Sequence, residues 1–178
     1  MRYQRVMATD TNTSLRHGIL SDELSEERTQ LIELLTKAYW MEVETVMSYI
    51  ANSINPEGVR AQEIIESLEE DIQEELGHAR QFGERIKELY GVVPGSLDFH
   101  AEQSYLQPPD DQIDVVHVIK GVIEAETGAI EHYNQVIEFC EGKDPVTQDM
   151  VTAILHDEEG HRRLFEGFLR EYKSEGLA

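Results

Sequence analysis

EELGH, residues 74–78, returns 83 positions later as DEEGH, residues 157–161. In both segments a glutamate precedes a histidine by three residues, and on an α-helix this spacing puts the two side chains on one face. Each segment lies in a stretch whose apolar residues recur every three or four positions, which is typical of a helix with one buried face. The repeat therefore predicts two helices that each direct a carboxylate and an imidazole towards the core.

Four such helical stretches make up most of the chain, and proline and glycine lie almost entirely between them. Strand patterns are nearly absent, so we predict an all-α fold. The predicted helices run from about Ser21 or Ser25 to Ser53, from about Pro56 to Tyr90, from about Asp111 to Glu141, and from about Pro145 to Ser174.

The links between these helices predict the topology. Short links after the first and third helices make two antiparallel hairpins, whereas the link at residues 91–110 is long. Two hairpins joined by one long crossover are typical of a particular four-helix bundle topology, which we expect over residues 21–178. Residues 1–20 are then an N-terminal extension that we expect to be flexible or to arrange subunits.

Composition excludes several classes of protein. The single cysteine, Cys140, cannot form an intrachain disulfide or a cysteine-based metal cluster, and we expect it to be a buried apolar residue. The chain has no secretory signal and no run of membrane-spanning length, so we predict a cytoplasmic protein without a membrane partner. A net charge of -21 opposes direct binding to DNA.

Each predicted helix has one glutamate among the apolar residues of its inward face. These are Glu42, Glu75, Glu126 and Glu158. An ionised carboxylate buried without a partner would cost several kcal/mol, so these four groups need protons or cations, and bound metal is the simplest source of charge. Helix geometry rotates the neighbouring carboxylates of Glu44 and Glu124 by about 200° from the inward glutamates, and we predict that they face solvent or another subunit. Glu159 is displaced from Glu158 by about 100° and is a poor candidate for a ligand.

Two of the helices give one glutamate each, and the other two give a Glu-x-x-His pair. Together these side chains match the ligand set of di-iron carboxylate bundles. Oxygen and imidazole ligands suit iron, and manganese or zinc are alternatives. The spacing is also repeated, because Glu42 lies 33 residues before Glu75 and Glu126 lies 32 before Glu158. The predicted metal ligands, which would also carry any catalysis, are Glu42, Glu75, His78, Glu126, Glu158 and His161.

Other residues are predicted to support this site. Glu74 and Asp157 are placed to accept a hydrogen bond from the free ring nitrogen of a ligand histidine on the partner helix, with surface exposure as the alternative. Tyr49 and Tyr133 are placed to bond a ligand carboxylate or to donate an electron, with plain core packing as the alternative. Gly77 and Gly160 suggest close packing around the histidines. The remaining histidines are predicted at the surface: His17, His100, His117, His132 and His156.

The segments MEVETVMSY (41–49), EELGHA (74–79) and DEEGHRRL (157–164) resemble the metal-binding segments of bacterioferritins and related mini-ferritins, in the ferritin-like superfamily. The resemblance implies ferroxidase activity, in which dioxygen or hydrogen peroxide oxidises two ferrous ions per chain and a homo-oligomer stores the ferric product. It implies the same six ligands. Bacterioferritins bind haem through a methionine where this chain has Leu76, so we expect no haem.

Two other functions stay open at this point. One is a rubrerythrin-like reductase of peroxide or oxygen without mineral storage, although one cysteine excludes a rubredoxin iron within this chain. The other is a non-enzymatic metal-binding assembly, including one that protects DNA. Ferrous iron, an oxidant and further copies of the chain are the expected partners.

Overall fold

The computed structural model describes residues 18–178, and in that range it has four long α-helices and no strand. The all-α prediction and the order of the elements are therefore confirmed. The helices are α1 (Ser25–Ile54), α2 (Gln62–Glu88), α3 (Val115–Cys140) and α4 (Pro145–Ser174).

The start of α2 differs from the prediction. Pro56 does not begin the helix, which starts six residues later at Gln62. Gly58 has φ +99°, a left-handed conformation that interrupts helical geometry, and the amide of Glu57 donates to the carbonyl of Gln112 at 2.8 Å. By contrast, Asp144 accepts hydrogen bonds from the amides of Val146 and Thr147, and α4 begins at Pro145 as predicted.

The crossover, residues 89–114, packs on the faces of α1 and α3. The side-chain amide of Asn52 on α1 donates to the carbonyl of Leu106 at 2.8 Å. On α3, a Cβ at Gly121 would lie 2.7 Å from the carbonyl oxygen of Tyr105, so this position requires glycine. None of the four helices carries an apolar stretch long enough to cross a membrane, as judged over the described residues.

Apolar side chains form two clusters at opposite ends of the bundle. One contains Leu35, Phe82 and Ile154, and the other contains Leu68 and Phe165. Along every helix the inward glutamate falls between the residues of the two clusters. The fold thus places one polar layer in the middle of an apolar core.

The N-terminal segment is described only in part. Residues 1–17, with His17, lie outside the described residues, so the predicted extension remains a prediction. Ile19, which we had assigned to that extension, is 3% exposed and packs in the cluster that contains Leu35. The part of the bundle core that the structure describes therefore begins before residue 21.

A buried ion pair joins the end of α2 to the start of α4. The guanidinium of Arg85 donates to both carboxylate oxygens of Asp144, at 2.9 and 2.8 Å, and to the hydroxyl of Thr147 at 2.7 Å. Both side chains of the ion pair are buried. The same Asp144 carboxylate therefore caps α4 and holds the two hairpins together.

Candidate metal centre

The polar layer consists of the six side chains that the sequence analysis selected. Each comes from the inward face of its helix, where the spacing of three and four residues had placed it, and none is more than 8% exposed. Glu42 comes from α1, Glu75 and His78 from α2, Glu126 from α3, and Glu158 and His161 from α4.

These side chains form two groups of four that share two carboxylates. In the first group, Nδ1 of His78 lies 3.5 Å from Glu75 Oε2, 3.2 Å from Glu158 Oε1 and 4.0 Å from Glu42 Oε1. In the second, Nδ1 of His161 lies 3.4 Å from Glu75 Oε1 and 3.5 Å from Glu158 Oε2. Glu75 and Glu158 therefore offer one oxygen to each group, which is the arrangement of bridging carboxylates.

Within each group, one ligand atom from every residue lies within 4.8 Å of the others, and Glu126 completes the second group. Two divalent cations would bring four positive charges to four carboxylates, so the layer would be neutral when both positions are filled. Oxygen and imidazole atoms in this proportion suit iron, manganese or zinc.

The two buried tyrosines bond to the site across the bundle. The hydroxyl of Tyr49 on α1 donates to Glu126 on α3, and the hydroxyl of Tyr133 on α3 donates to Glu42 on α1. Each glutamate that belongs to a single group is thus oriented by a tyrosine from the other hairpin. The predicted bond between a tyrosine and a ligand carboxylate is therefore present in both halves.

The outer ring nitrogens of the histidines point to the seam between α2 and α4. Nε2 of His161 lies 3.0 Å from Glu74 and 3.6 Å from Asp71, and Nε2 of His78 lies 3.5 Å from Asp157. Glu74 and Asp157 are about half exposed, whereas Asp71 is buried. Carboxylates on this side favour a proton on Nε2 of each neutral ring. The lone pair of Nδ1 then faces the two groups of candidate ligand atoms.

Burial and mutual repulsion divide the four central carboxylates into two kinds. Burial, with the negative charges of Glu75 and Glu158, raises the pKa of Glu42 and of Glu126 well above the ordinary value. Burial also opposes ionisation of Glu75 and Glu158. The close polar neighbours of each carboxylate outweigh burial and lower the pKa of both; these neighbours are Glu42 and the two histidines for Glu75, and the two histidines and Glu126 for Glu158. The bridging pair is therefore ionised, while the outer pair holds protons in the metal-free protein.

The histidines supply the positive charge in that state. Burial disfavours each imidazolium, but the carboxylates of Glu158 and Glu75, which lie 3.2 to 3.5 Å from Nδ1 of each ring, raise the pKa of His78 to about 10 and that of His161 to about 12. Burial raises the pKa of Asp71 to about 7, and the nearby His161 limits that rise. A metal ion would displace these protons, because it binds the unprotonated ring and the ionised carboxylate.

Several buried ligand atoms have no hydrogen-bond partner. Buried polar atoms are nearly always paired, so a group of unpaired ones calls for a missing partner. These atoms converge on the space between the two groups, and their chemistry fits metal cations. They are both Oε atoms of Glu75, Oε1 of Glu158, and Nδ1 of His78 and of His161.

Two side chains that the sequence analysis placed at the surface are buried. Glu44 is 5% exposed and accepts hydrogen bonds from the backbone amides of Glu102 and Gln103 at 2.7 to 2.9 Å, so it anchors the crossover. His132 is 3% exposed, and its Nε2 lies 2.9 Å from the carbonyl oxygen of Leu34. Surface placement is confirmed for His100, His117, Glu124 and His156, and Glu159 is also exposed.

The glycines beside the histidines do not have the role expected of them. A Cβ at Gly77 or at Gly160 would meet no atom within 4 Å, so close packing within this chain does not require either glycine. Asp71 is a residue that the sequence analysis missed. Steps of three and four along α2 led from Leu68 to Ile72 and passed over it, although a step of four back from Glu75 reaches it.

A cavity of about 620 Å³ lies under the crossover, away from this centre. None of the six residues lines it. Its walls include Trp40, Glu44, Tyr105 and His132. The described cavity therefore offers no room for an organic substrate beside the candidate metal positions.

Comparison with known proteins agrees with this fold. The family model described as ferritin-like domain matches residues 32–174. The chain belongs to the ferritin-like family. The match covers most of α1, all of α2, α3 and α4, and all six residues of the centre.

Relatives of the ferritin-like chain include a Pyrococcus furiosus protein named DNA protection during starvation protein. It is 32% identical over 79% of this chain and 77% of its own length. The solved bacterioferritin of Desulfovibrio desulfuricans, described with a diiron site in different catalytic states, has TM-score 0.72 at 24% identity over 84% of each chain. A dodecameric thioferritin from Bacteroides fragilis has TM-score 0.71 at 24% identity over 88% of this chain and 97% of its own. The last two likenesses show a shared fold.

Proposed function

We propose that this protein is a ferroxidase that takes two ferrous ions per chain as substrate and oxidises them with dioxygen or hydrogen peroxide. The observation that carries the proposal is the pair of carboxylates, Glu75 and Glu158, shared by two groups of ligand atoms. Shared carboxylates hold two iron ions close enough to give one electron each to the same oxidant. With dioxygen, two ferrous ions and two protons yield two ferric ions and one hydrogen peroxide.

The side chains would divide the work as follows. The bridging carboxylates and the two histidines hold the ions, and Glu42 and Glu126 each complete one position. Tyr49 and Tyr133 keep those outer carboxylates in place through hydrogen bonds from opposite helices. The histidine protons leave when ferrous ions bind, since the ligand nitrogen must be unprotonated.

The test is to load the metal-free protein with ferrous iron under argon, admit air, and follow ferric absorbance and iron retained per chain. Wild type is expected to oxidise a first equivalent of about two iron ions per chain rapidly. Glu75→Gln should slow that phase by at least about 100-fold, because it removes a ligand from both positions. Glu159→Gln is the matched control, since Glu159 is the exposed neighbour of Glu158. Equal rates in the two variants would sink the proposal.

We propose further that the oxidised iron is stored or detoxified in a homo-oligomer. Met47, Ile50 and Ile54 are spaced along one face of α1 and are 47%, 43% and 74% exposed, as residues of a subunit contact would be in the isolated chain. The dodecameric relative from Bacteroides fragilis supports an assembly of this kind. Light scattering should show a large particle, and Ile50→Glu should reduce its size. Uptake that stops at two iron ions in a small oligomer would favour the peroxide or oxygen reductase instead.

The name of the Pyrococcus furiosus relative raises DNA protection as a role. We propose that any such effect here comes from removing ferrous iron and its oxidant, because a net charge of -21 repels phosphate. A gel-shift assay at physiological salt should show no complex with duplex DNA. The same assay would reveal a direct DNA-binding role if a complex formed.

A further inference from the structure

The metal centre is built from two matching halves. Glu74, Glu75 and His78 on α2 correspond to residues 83 positions later on α4, namely Asp157, Glu158 and His161. The cross-bonded tyrosines follow the same symmetry. Two halves of equal composition would give two metal positions of equal affinity.

The symmetry fails at one buried position. Asp71 lies four residues before Glu75, and the residue four before Glu158 is Ile154. Ile154 is 1% exposed and belongs to the apolar cluster, whereas Asp71 places a carboxylate of 6% exposure beside the site. Asp71 is thus a polar group that exists in only one half.

The surroundings of Asp71 point to His161. Its Oδ1 lies 3.6 Å from Nε2 of His161, too far for a hydrogen bond but close enough for a strong electrostatic effect, and its Oδ2 has no partner. Nε2 of His161 faces a second carboxylate, that of Glu74, at 3.0 Å. Among residues 18–178, Nε2 of His78 has one charged group within 4 Å, the carboxylate of Asp157 at 3.5 Å. One histidine therefore has two carboxylates behind it and the other has one.

We propose that Asp71 makes the two metal positions unequal, so that a divalent cation binds more tightly to the Glu126–His161 position than to the Glu42–His78 position. The inference rests on the proposed function, because it takes the two groups of ligands as metal positions. Asp71 is a positioning residue and not a ligand. Its charge favours the ring orientation that turns Nε2 outwards, and it makes the inward Nδ1 a better donor to metal.

Unequal affinities would fix the order in which metal ions fill the two positions. The first ion added would occupy the position that contains His161, and the second would complete the pair. Oxidation that needs both ions would therefore begin only once the weaker Glu42–His78 position fills. The affinity of that weaker position would set the ferrous concentration at which the protein becomes active.

The test measures binding of Co²⁺, whose visible absorption reports each position without any redox reaction. Two backgrounds isolate the positions, since His78→Ala leaves the Glu126–His161 position and His161→Ala leaves the other. In the His78→Ala background, Asp71→Asn is expected to weaken Co²⁺ binding by about 10- to 100-fold. In the His161→Ala background the same substitution should change binding by less than about twofold.

Two further variants complete the design. Asp71→Ile copies Ile154 and should bring the two dissociation constants of the otherwise wild-type protein together, while Glu70→Gln changes an exposed neighbour and should leave both unchanged. Circular dichroism checks that each variant is folded. An equal effect of Asp71→Asn in both backgrounds, or none in either, overturns the inference while two Co²⁺ ions still bind. Wild type that binds fewer than two Co²⁺ ions overturns the proposed function as well.

Discussion

At the scale of single residues, the hydrogen bonds of Tyr49 and Tyr133 to the glutamates contribute to the stability of the metal-free protein. Tyr133→Phe removes the hydroxyl that donates to Glu42 and leaves the buried carboxyl without that partner. We expect the free energy of unfolding of the metal-free protein to fall by about 1 to 3 kcal/mol. Urea denaturation measures it.

Tyr172→Phe is the control for that substitution. The hydroxyl of Tyr172 donates to the carbonyl of Arg60 at 3.2 Å near the surface, where water can replace it. The expected loss in the free energy of unfolding is below about 0.5 kcal/mol. Equal losses in the two variants would mean that the bond between Tyr133 and Glu42 adds nothing beyond an ordinary surface contact.

Local spacing was enough to select Glu42, Glu75 and the other candidate ligands of the centre, because residues three and four apart lie together on the buried face of a helix. It was not enough for Glu44 or His132. The crossover covers Glu44 through the backbone amides of Glu102 and Gln103, and the backbone carbonyl of Leu34 on α1 pairs with His132. Contacts with chain distant in sequence decide such cases, and periodicity within one helix carries no information about them.

At the scale of the helix, the open space beside Gly77 and Gly160 leads to a prediction. Alanine at either position would gain helix propensity, and the added methyl group would meet no atom of this chain. We expect each substitution to raise the free energy of unfolding of the isolated chain by up to about 1 kcal/mol. Thermal denaturation checks it.

Gly121→Ala should have the opposite effect. Its new Cβ would fall 2.7 Å from the backbone oxygen of Tyr105, so the crossover would have to move away from α3. The expected loss in the free energy of unfolding is about 1 to 3 kcal/mol. If Gly77→Ala destabilised the protein as Gly121→Ala does, the space beside Gly77 would be filled in solution, for example by another subunit.

The ion pair between α2 and α4 gives a second prediction at this scale. Arg85→Ala leaves the buried carboxylate of Asp144 unpaired, and we expect a loss of about 3 to 5 kcal/mol in the free energy of unfolding. Arg80→Ala is the matched control, because the pair of Arg80 with Glu84 is exposed and should contribute less than about 1 kcal/mol. Guanidinium denaturation of both variants measures these losses. Equal losses would mean that the buried pair of Arg85 with Asp144 contributes no more than an exposed ion pair.

The ends of the helices were predictable to different degrees. At Asp144 the capping side chain is buried and paired with Arg85, so the local signal and the tertiary contact agree. At Asn55 and Pro56 the same local signal competes with Gly58 and with the contact of Glu57 to Gln112, and the helix starts later. A capping signal predicts the end of a helix when the surrounding chain does not offer the backbone another partner.

At the scale of the whole molecule, metal-free stability should depend strongly on pH. His78 and His161 have pKa values raised from 6.5 to about 10 and about 12 in the folded protein. A raised pKa contributes stability that is fully present below pH 6.5 and is lost as the pH rises through the folded value. Glu75 and Glu158, with lowered pKa values, lose their contribution only in acid.

We therefore expect the free energy of unfolding of the metal-free protein to fall by at least about 2 kcal/mol from pH 6.5 to 8.5. Denaturation curves at the two pH values measure the fall. Loading with Zn²⁺ should abolish or reverse it, because the ion replaces the protons on the histidines and binds more tightly at higher pH. A metal-free protein that is equally stable at both values would contradict the assigned imidazolium pairs.

Cys140, the single cysteine of the chain, has 0% exposure at the end of α3, and burial raises the pKa of its thiol to about 12. A thiol reagent can reach it only when the bundle opens, and then the unfolded thiol reacts at its ordinary rate. Labelling of the folded protein therefore counts opening events, and under fast reclosing its rate follows the population of the open state. Iron loading should slow that labelling as it stabilises the fold. The labelling rate of Cys140 would then report iron binding in the polar layer, although Cys140 is not one of its residues.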